Sequence, residues 1–317
     1  MRDLLRPILA GLVLAASPAH AQIGAAPFFN VLTFGDFTYT GGSDVGGGLG
    51  ASGVVTFQSG WAVASNTGGL QATSPFTLVS GVRIQNNGSG QVFRGSAWAP
   101  VYAGNTVNVL PPGSRQGPPT ANPVDFVALQ TQQQALSTQL AGLSANGVVT
   151  TPFVGGVTFT GSDPVRNVFT VAASVLNGAN TVNINVPAGS TTIINVTGTG
   201  SLALSGFGWF LNGSQSNGAS TTAQARNTLV NVVSLANFSF GAGSIAGSIL
   251  APNTAVTGSF NQMTGQLVAA SYSGTTEFYN YEFRGQLPPP TVVIPEPATV
   301  ALLGAGLLGL VAVGRRR

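Results

Sequence analysis

Short apolar runs separated by small, turn-forming residues constrain the fold of this chain more than any other feature. Within each run apolar and polar residues alternate, and Gly, Asn, Ser or Thr residues bound it, which is the pattern of half-buried β-strands. The runs lie at 30–37, 53–57, 77–84, 105–110, 181–186, 191–196 and 202–210. We therefore expect a mainly β protein, and a body of about 270 residues is long enough to bury a substantial core in one piece.

A phrase that recurs near the C-terminus favours strands arranged in stacked coils. Residues 247–251 read GSILA and residues 265–269 read GQLVA, eighteen positions further on, and a looser copy, GSAWAP, lies at 95–100. A β-solenoid needs a Gly at tight corners and apolar residues at equivalent inward positions of successive coils. The repeat therefore favours a β-solenoid, with a β-sandwich as the alternative.

One segment, about 123–145, has the pattern of an α-helix. Asn122 is placed to cap it, Pro123 suits the first helical position, Asp125 lies near the positive end of the helix dipole, and Asn-Gly at 146–147 supplies a stop. The apolar stripe comprises Phe126, Leu129, Leu136, Leu140 and Leu143, with Gln133 its one polar member, and the opposite face carries Gln130, Thr131, Gln134, Ser137 and Thr138. Since about three heptads are short for a dimerising coiled coil, we expect this helix to pack along the side of the β domain.

The charge balance gives no sign of a nucleic-acid partner. Charged residues make up 6% of the chain, and the net charge is +3. Between residues 22 and 294 six Arg balance six acids, so the high isoelectric point comes from the two ends of the chain. Without a basic patch on the body, nucleic-acid binding is not expected.

Missing residue types exclude most catalytic sites. The chain has no Cys, and its one His, His20, lies in the N-terminal leader described below. A mature chain without His or Cys has no Ser-His-Asp triad, no Cys nucleophile and no usual zinc site. We expect no enzymatic activity and no cofactor, and a carbohydrate-active β-solenoid enzyme is the less favoured alternative.

A few acidic residues are weak site candidates. Asp44, in the stretch GGSDVGGG, is similar to Gly-Asp calcium repeats, but the motif occurs once and fits a turn in the first coil better. Asp36, the other weak metal candidate, is expected to bond to the backbone at a strand end. Glu277 and Glu282 are five apart in a predicted strand, so they should face opposite sides and form no acid/base pair. We also expect core or cross-strand packing, not sugar stacking, for Tyr272, Phe278, Tyr279 and Tyr281.

Residues 1–21 have the organisation of a secretory signal peptide. Arg2 and Arg6 form a basic segment, and the apolar run at 8–16 is too short to span a membrane. A small-x-small cleavage motif follows, so we expect export by the secretion machinery. The predicted cleavage residues are Ala19, Ala21 and Gln22.

Residues 289–317 form a tail of a different character from the body. A Pro-Glu-Pro motif precedes an apolar run at 298–314 that is broken only by Thr299, and three Arg end the chain. About 17 apolar residues just cross a bilayer, and terminal Arg residues hold the C-terminus on the cytoplasmic side. The body is then outside, and a permanent tail anchor is one interpretation. The motif residues are Pro295, Glu296, Pro297, Arg315, Arg316 and Arg317.

In order and spacing this tail, VVIPEPATVALLGAGLLGLVAVGRRR, resembles the PEP-CTERM sorting signal of Gram-negative bacteria. The resemblance implies recognition by an exosortase, removal of the tail, and delivery to the cell surface, the outer membrane or an extracellular matrix. The protein would then contact the membrane only through its tail, in a transient inner-membrane intermediate.

The body, residues 22–288, also resembles a known family. Its opening, NVLTFGDFTYTGGSDVGGGLGASG, and its closing phrases, GSILAP, GQLVA and EFRGQLP, are similar to the choice-of-anchor A surface proteins. The closing phrase and the preceding helix are also similar to the side-helix β-solenoids of bacterial ice-binding and ice-adhesion proteins. This implies a right-handed solenoid with one long helix along its side, and it supplies no catalytic residues.

Together these features predict an adhesin or structural protein of a cell surface or biofilm matrix, with extracellular polysaccharide or another surface ligand as partner. An ice- or polysaccharide-binding module is the alternative. A flat, regularly spaced Thr-rich face would favour ice, and a groove holding two carboxylates would favour the enzyme.

Overall fold

A computed structural model describes residue 23 and residues 29–65, 75–216 and 222–289. The signal peptide predicted at 1–21 and the sorting motif from Pro295 onward lie outside the described residues. So do all the signal-cleavage and sorting residues predicted above. Within the described ranges, no helix is long and apolar enough to cross a membrane.

The first half of the chain forms a stack of coils, and each coil adds one short strand in turn to three faces. Small residues at the corners let the chain turn after two to five residues of strand. The strands are β1 (Phe29–Thr33), β2 (Phe37–Tyr39), β3 (Ser43–Val45), β4 (Gly48–Ala51), β5 (Val54–Phe57), β6 (Trp61–Val63), β7 (Phe76–Ser80), β8 (Arg83–Asn86), β9 (Gly90–Val92), β10 (Ser96–Trp98), β11 (Tyr102–Gly104), β12 (Asn108–Val109) and β13 (Arg115–Gln116). Face a begins at β1, face b at β2 and face c at β3, and every third strand along the chain continues the same face.

The second half forms another stack, after helix α1 (Phe126–Ala141). Its elements are β14 (Val148–Thr150), β15 (Gly156–Thr160), β16 (Arg166–Ala172), α2 (Ala173–Leu176), β17 (Thr181–Asn185), β18 (Thr191–Thr197), β19 (Ser201–Ser205), β20 (Gly208–Leu211), β21 (Ser214–Gln215), α3 (Thr222–Ala225), β22 (Thr228–Val232), β23 (Asn237–Gly241), β24 (Ser244–Ala246), β25 (Ser248–Ser259), β26 (Gln262–Thr264), β27 (Leu267–Gly274) and β28 (Glu277–Tyr279). The long strands β25 and β27 bend at a corner and contribute to both face a and face b.

The two stacks join where the first coil of the chain meets the last. On face a, β27 pairs in parallel with β1, and on face b it pairs with β2. On face c, β28 pairs with β3. We call this junction the seam. The first strand, β1, therefore lies in the middle of the solenoid, and the coils that follow extend to one end at β13. The chain then passes back along α1 to the opposite end, and the second stack extends from there to the seam.

The predicted fold class is confirmed: the protein is mainly β, and its strands form curled parallel sheets. The β-sandwich alternative is wrong, because equivalent strands of successive coils pair in parallel, with β14–β15 and β20–β21 as antiparallel pairs among the described strands. The hand of the coil stays a prediction.

The sequence repeat corresponds to one coil. Ile249 is in register with Leu267, so the two phrases lie on adjacent strands of face a. Their leading glycines occupy the corner. Gly247 has φ +143°, and a Cβ on Gly265 would lie 2.3 Å from the Gly247 carbonyl oxygen, so neither position accommodates a larger residue.

Several predicted strands were too long. The runs at 30–37, 77–84 and 202–210 each contain a corner, which divides them into β1 and β2, β7 and β8, and β19 and β20. Alternation does not reveal such corners, because each spans only two or three residues and includes an apolar one, Phe34, Val82 or Phe207.

The three faces enclose an apolar core that is rich in aromatic rings near the seam. The Phe37 and Tyr272 rings stack with centroids 5.1 Å apart, and Tyr272 meets Phe278 edge-on at 5.2 Å. Phe57 stacks on Trp61 at 4.1 Å, and the Trp61 indole N–H donates to the Asn86 amide oxygen at 2.9 Å. Rings from both stacks therefore bury one another, which stabilises the junction.

Helix α1 packs on the outer side of face a, but it is shorter than predicted. It spans 16 residues. Its N-cap is Asp125, not Asn122, and the Asp125 carboxylate accepts the Ala128 N–H at 3.0 Å. It ends at Ala141, with Gly142 as its C-cap, before the predicted Asn-Gly stop, so the long helix predicted over 123–145 is not confirmed. Leu129, Leu136 and Leu140 are buried against face a as expected.

Ser137 was placed on the wrong side of the helix, because it is buried in a polar network beneath α1. Its hydroxyl donates to the Asn231 amide oxygen at 2.7 Å, and the Asn231 amide donates to the Ser137 carbonyl and to Asn195. The Asn195 amide donates to the Leu140 carbonyl at 2.8 Å. Since each of these buried amides finds a partner, the network fixes the position of α1 on the sheet.

We predict that Leu136→Asp destabilises the fold by about 3–5 kcal/mol, because it removes a buried side chain and buries an unpaired charge. Thermal or urea unfolding measures this change. Thr138→Ala, on the exposed side of the same helix turn, should change the stability by less than about 0.5 kcal/mol. Equally small effects at both positions would show that α1 is not docked.

Candidate functional site

Face b carries a regular row of small hydroxyl side chains. We call Ser239, Thr257, Ser273, Thr38 and Thr56 the hydroxyl row, in the order in which their strands adjoin. These residues share one register position on five neighbouring strands, and their side chains point away from the core. Ala203 continues the row at one end, and Gln85 and Ala103 continue it at the other.

The row is regular because the strands of face b pair in parallel without a register shift. Neighbouring strands lie about 4.8 Å apart, so the hydroxyl groups repeat at that interval along the solenoid. Each Thr presents a methyl group beside its hydroxyl, and no row member is larger than Thr. Face b therefore offers a flat, mixed apolar and hydrogen-bonding surface to an ordered ligand.

A groove follows the corner between faces b and c and crosses the seam. Its volume is about 810 Å³, and residues of five adjacent coils line it. In spatial order these come from 242–244, 260–262, 275 and 277, 42–44, and 60. We call it the seam groove, since one half of its length belongs to the first stack and the other half to the second.

The seam groove holds two carboxylates on neighbouring strands. Asp44 of β3 lies beside Glu277 of β28, because Val45 pairs with Phe278 in the adjoining register position. Burial, and next the negative charge of Glu277, raise the pKa of the Asp44 carboxyl. Gln262 donates one N–H to Glu277 at 3.2 Å and another to the Tyr279 hydroxyl at 3.2 Å. Gln262 thus holds the Glu277 carboxylate in place beside Asp44.

Two further side chains make this groove unusual. Phe260 is 88% exposed and has φ +50°, a combination that is rare for an aromatic residue. Its N–H donates to the Thr275 hydroxyl at 3.1 Å. The Asn261 side chain is only 8% exposed, and its amide donates to the Phe240 carbonyl at 2.8 Å. Among the described residues, the Asn261 Oδ1 atom has no hydrogen-bond partner, which is costly for a buried acceptor.

The acidic residues singled out in the sequence have separate environments. Asp36 accepts the Val54 N–H at 2.8 Å, the backbone bond expected at a strand end. Asp44 lies in a strand of face c, so its assignment to a turn was wrong. Glu282 lies beyond the end of β28 and forms an ion pair with Arg284 at 2.6 Å, apart from Glu277. Among the described residues, no group of three or more metal-ligating side chains converges.

Sequence reasoning missed the partner of Asp44 and the exposed ring. Asp44 and Glu277 are more than 200 positions apart, and only the pairing at the seam brings them together. Tyr272 and Phe278 are core residues as predicted, whereas Phe260 is the most exposed of the described aromatic residues. The one local signal for Phe260 is that it directly follows a long alternating strand and begins a corner with Asn261.

A comparison with family models identifies the chain. The model described as "Putative Ice-binding-like adhesive domain" matches residues 22–280, and the PEP-CTERM protein-sorting motif matches residues 293–317. The chain belongs to this ice-binding-like adhesive family. Both resemblances, to ice-binding-type domains and to the PEP-CTERM signal, are thereby confirmed, while the choice-of-anchor A assignment stays a prediction. A comparison with curated proteins gave no match.

The chain is also similar to solved ice-binding proteins at low sequence identity. A glycosylated ice-binding protein from an Arctic yeast is 14% identical over 88% of this chain and 98% of that chain, with a TM-score of 0.35. An ice-binding protein from an Antarctic biological consortium is 13% identical over 82% and 89%, with a TM-score of 0.36. A Shewanella frigidimarina ice-binding domain is 15% identical over 85% and 99%, with a TM-score of 0.37.

We predict that Asp44→Asn raises the melting temperature at pH 7, by an amount equivalent to less than about 1 kcal/mol, since Asp44 is half exposed. Its pKa is raised in the folded state, so the wild-type carboxyl opposes folding when charged. As the pH falls through that raised pKa, the folded wild type takes up a proton and the advantage of the variant disappears.

Asp163→Asn is a matched control, for which we expect a change in stability of the opposite sign. The N–H groups of Val165 and Arg166 donate to the Asp163 carboxylate and lower its pKa. Its charged form stabilises the fold above the ordinary carboxyl pKa, and that contribution is lost as the pH falls. At pH 7 the variant should therefore melt at a lower temperature than the wild type. The difference should disappear as the pH is lowered to 3, which melting curves across this range measure. Shifts of the same sign in both variants would contradict the assignment.

Proposed function

We propose that the mature protein is an exported cell-surface adhesin that attaches to extracellular polysaccharide through face b. The observation that carries this proposal is the hydroxyl row, which offers the same small contact on one strand after another. Membership of an adhesive domain family and the sorting motif at the C-terminus support it. A single hydroxyl contact is weak, but many copies engaged together bind far more tightly.

The low charge of the body fits this mode of binding. Six Arg and six acids are spread over residues 22–294, so face b exerts no strong field on an approaching ligand. Shape and hydrogen bonding then decide what binds, and a neutral, hydroxyl-rich polymer satisfies both. We assign the protein no catalytic step.

Ice is the second candidate ligand, and the regular spacing of the hydroxyl row favours it. A crystal surface also presents hydrogen-bonding groups at fixed intervals, and the Thr methyl groups suit ordered water beside an apolar surface. Inhibition of ice recrystallisation by the purified protein, in the absence of polysaccharide binding, would select this ligand.

We predict that Thr56→Tyr combined with Thr257→Tyr weakens binding to the exopolysaccharide of the host at least tenfold. Tyr is a good strand former, so the fold should persist, while its ring breaks the flat surface. Thr158→Tyr, at an outward position of β15 in the separate five-stranded sheet, is the control and should bind like the wild type. Retention on a polysaccharide-coated surface measures this, and equal retention of all three proteins would refute face b as the binding surface.

For export we propose that a signal peptidase cleaves after Ala21 and that an exosortase removes the tail near Pro295. The intact mass of protein from the surface of its host should correspond to a chain that begins at Gln22 and ends between Ile294 and Glu296. Deletion of Arg315 to Arg317 should reduce processing without changing the melting temperature of the body. A surface pool that still ends at Arg317 would contradict the sorting mechanism.

A further inference from the structure

We propose that the seam groove is a second binding site, specific for an uncharged, linear segment of polysaccharide. It lies at the corner between faces b and c, so its ligand need not touch the hydroxyl row. Binding in the groove can therefore be tested independently of adhesion through face b.

The dimensions of the seam groove suit a chain better than a single small molecule. Residues of five adjacent coils line it, and a spacing of about 4.8 Å between coils gives a length of about 19 Å. Small residues leave its walls low, namely Gly42, Gly60, Ala242 and Gly243. A polymer can thus lie along the solenoid axis with its ends in solvent.

The hydrogen-bonding groups of the groove require donors from the ligand. Asp44 and Glu277 present carboxylate oxygens, and Asn261, whose buried amide oxygen has no partner among the described residues, also lines the groove. None of the described residues that line the groove is an Arg. Sugar hydroxyl groups donate to such acceptors, and an uncharged sugar avoids the repulsion that a uronic acid would meet from the two carboxylates.

The exposed ring of Phe260 favours a sugar over a metal ion as the ligand of the groove. A cation needs oxygen ligands and gains nothing from an exposed phenyl ring beside them. The apolar face of a sugar ring, in contrast, stacks on an aromatic side chain while its hydroxyl groups reach polar neighbours. Thr275, whose hydroxyl accepts the Phe260 N–H, holds the backbone beneath the ring. The combination of ring, carboxylates and unpaired amide therefore points to a saccharide.

The test uses isothermal titration calorimetry on the exported protein purified from its host. The probes are three neutral hexamers, cellohexaose, mannohexaose and maltohexaose, together with a galacturonate hexamer and calcium chloride alone. At least one neutral hexamer should bind, and the galacturonate hexamer should bind at least tenfold more weakly. Absence of binding by all three neutral hexamers at millimolar concentration would overturn the proposal, as would equal binding of the galacturonate hexamer.

Variants assign the binding to the groove. Phe260→Ala and Glu277→Gln should each weaken the bound hexamer at least tenfold, whereas Val154→Ala, which changes another highly exposed apolar residue, should have no effect. The Thr56→Tyr, Thr257→Tyr double variant should keep hexamer binding even where it loses adhesion through face b, so failure of one site is distinguishable from failure of the other.

Two results would replace the proposal with another. Calcium binding that Asp44→Asn abolishes, with no hexamer bound, would make the groove a cation site. Release of reducing ends from a hexamer, abolished by Glu277→Gln, would make it an active site in which the two carboxylates act on a glycosidic bond.

Discussion

The pairing of the first coil with the last is the interaction on which the rest of this structure depends. Parallel ladders join β1 and β2 to β27, and β3 to β28, and buried rings from both ends of the chain pack across the junction. Without the seam each stack would expose an open sheet edge and an apolar interior. Because of the seam, the hydroxyl row continues from one stack into the other, and the seam groove is lined by residues of both stacks.

Helix α1 makes this arrangement possible, because it carries the chain from one end of the solenoid back toward the other. Its leucines bury the apolar part of face a, and the hydrogen bonds of Ser137, Asn195 and Asn231 set its position. Apolar contact alone tolerates sliding along a regular sheet, whereas a buried amide network is satisfied in only one register. The network therefore fixes the helix on the second stack, at strands β18 and β22.

The two candidate surfaces use the solenoid in different ways. The hydroxyl row repeats one small contact over many coils, which suits a large, ordered ligand and depends little on any one residue. The seam groove gathers dissimilar groups at one place, so each of Asp44, Glu277 and Phe260 matters there. A solenoid supplies both because its faces are periodic, while its corners vary from coil to coil.

Local patterns in the sequence determined the strand-rich class, the coil length given by the GSILA and GQLVA phrases, the apolar face of α1 and the identity of the sorting tail. These depend on residues close together in the chain, where alternation and spacing report directly on the backbone. Tertiary structure alone decided that Asp44 adjoins Glu277, that Ser137 faces inward to Asn231, and that Thr38 and Thr257 share one row. Each of these depends on contacts between elements far apart in the chain, which are fixed by core packing, by the pairing at the seam and by the docking of α1. No short-range period encodes that alignment.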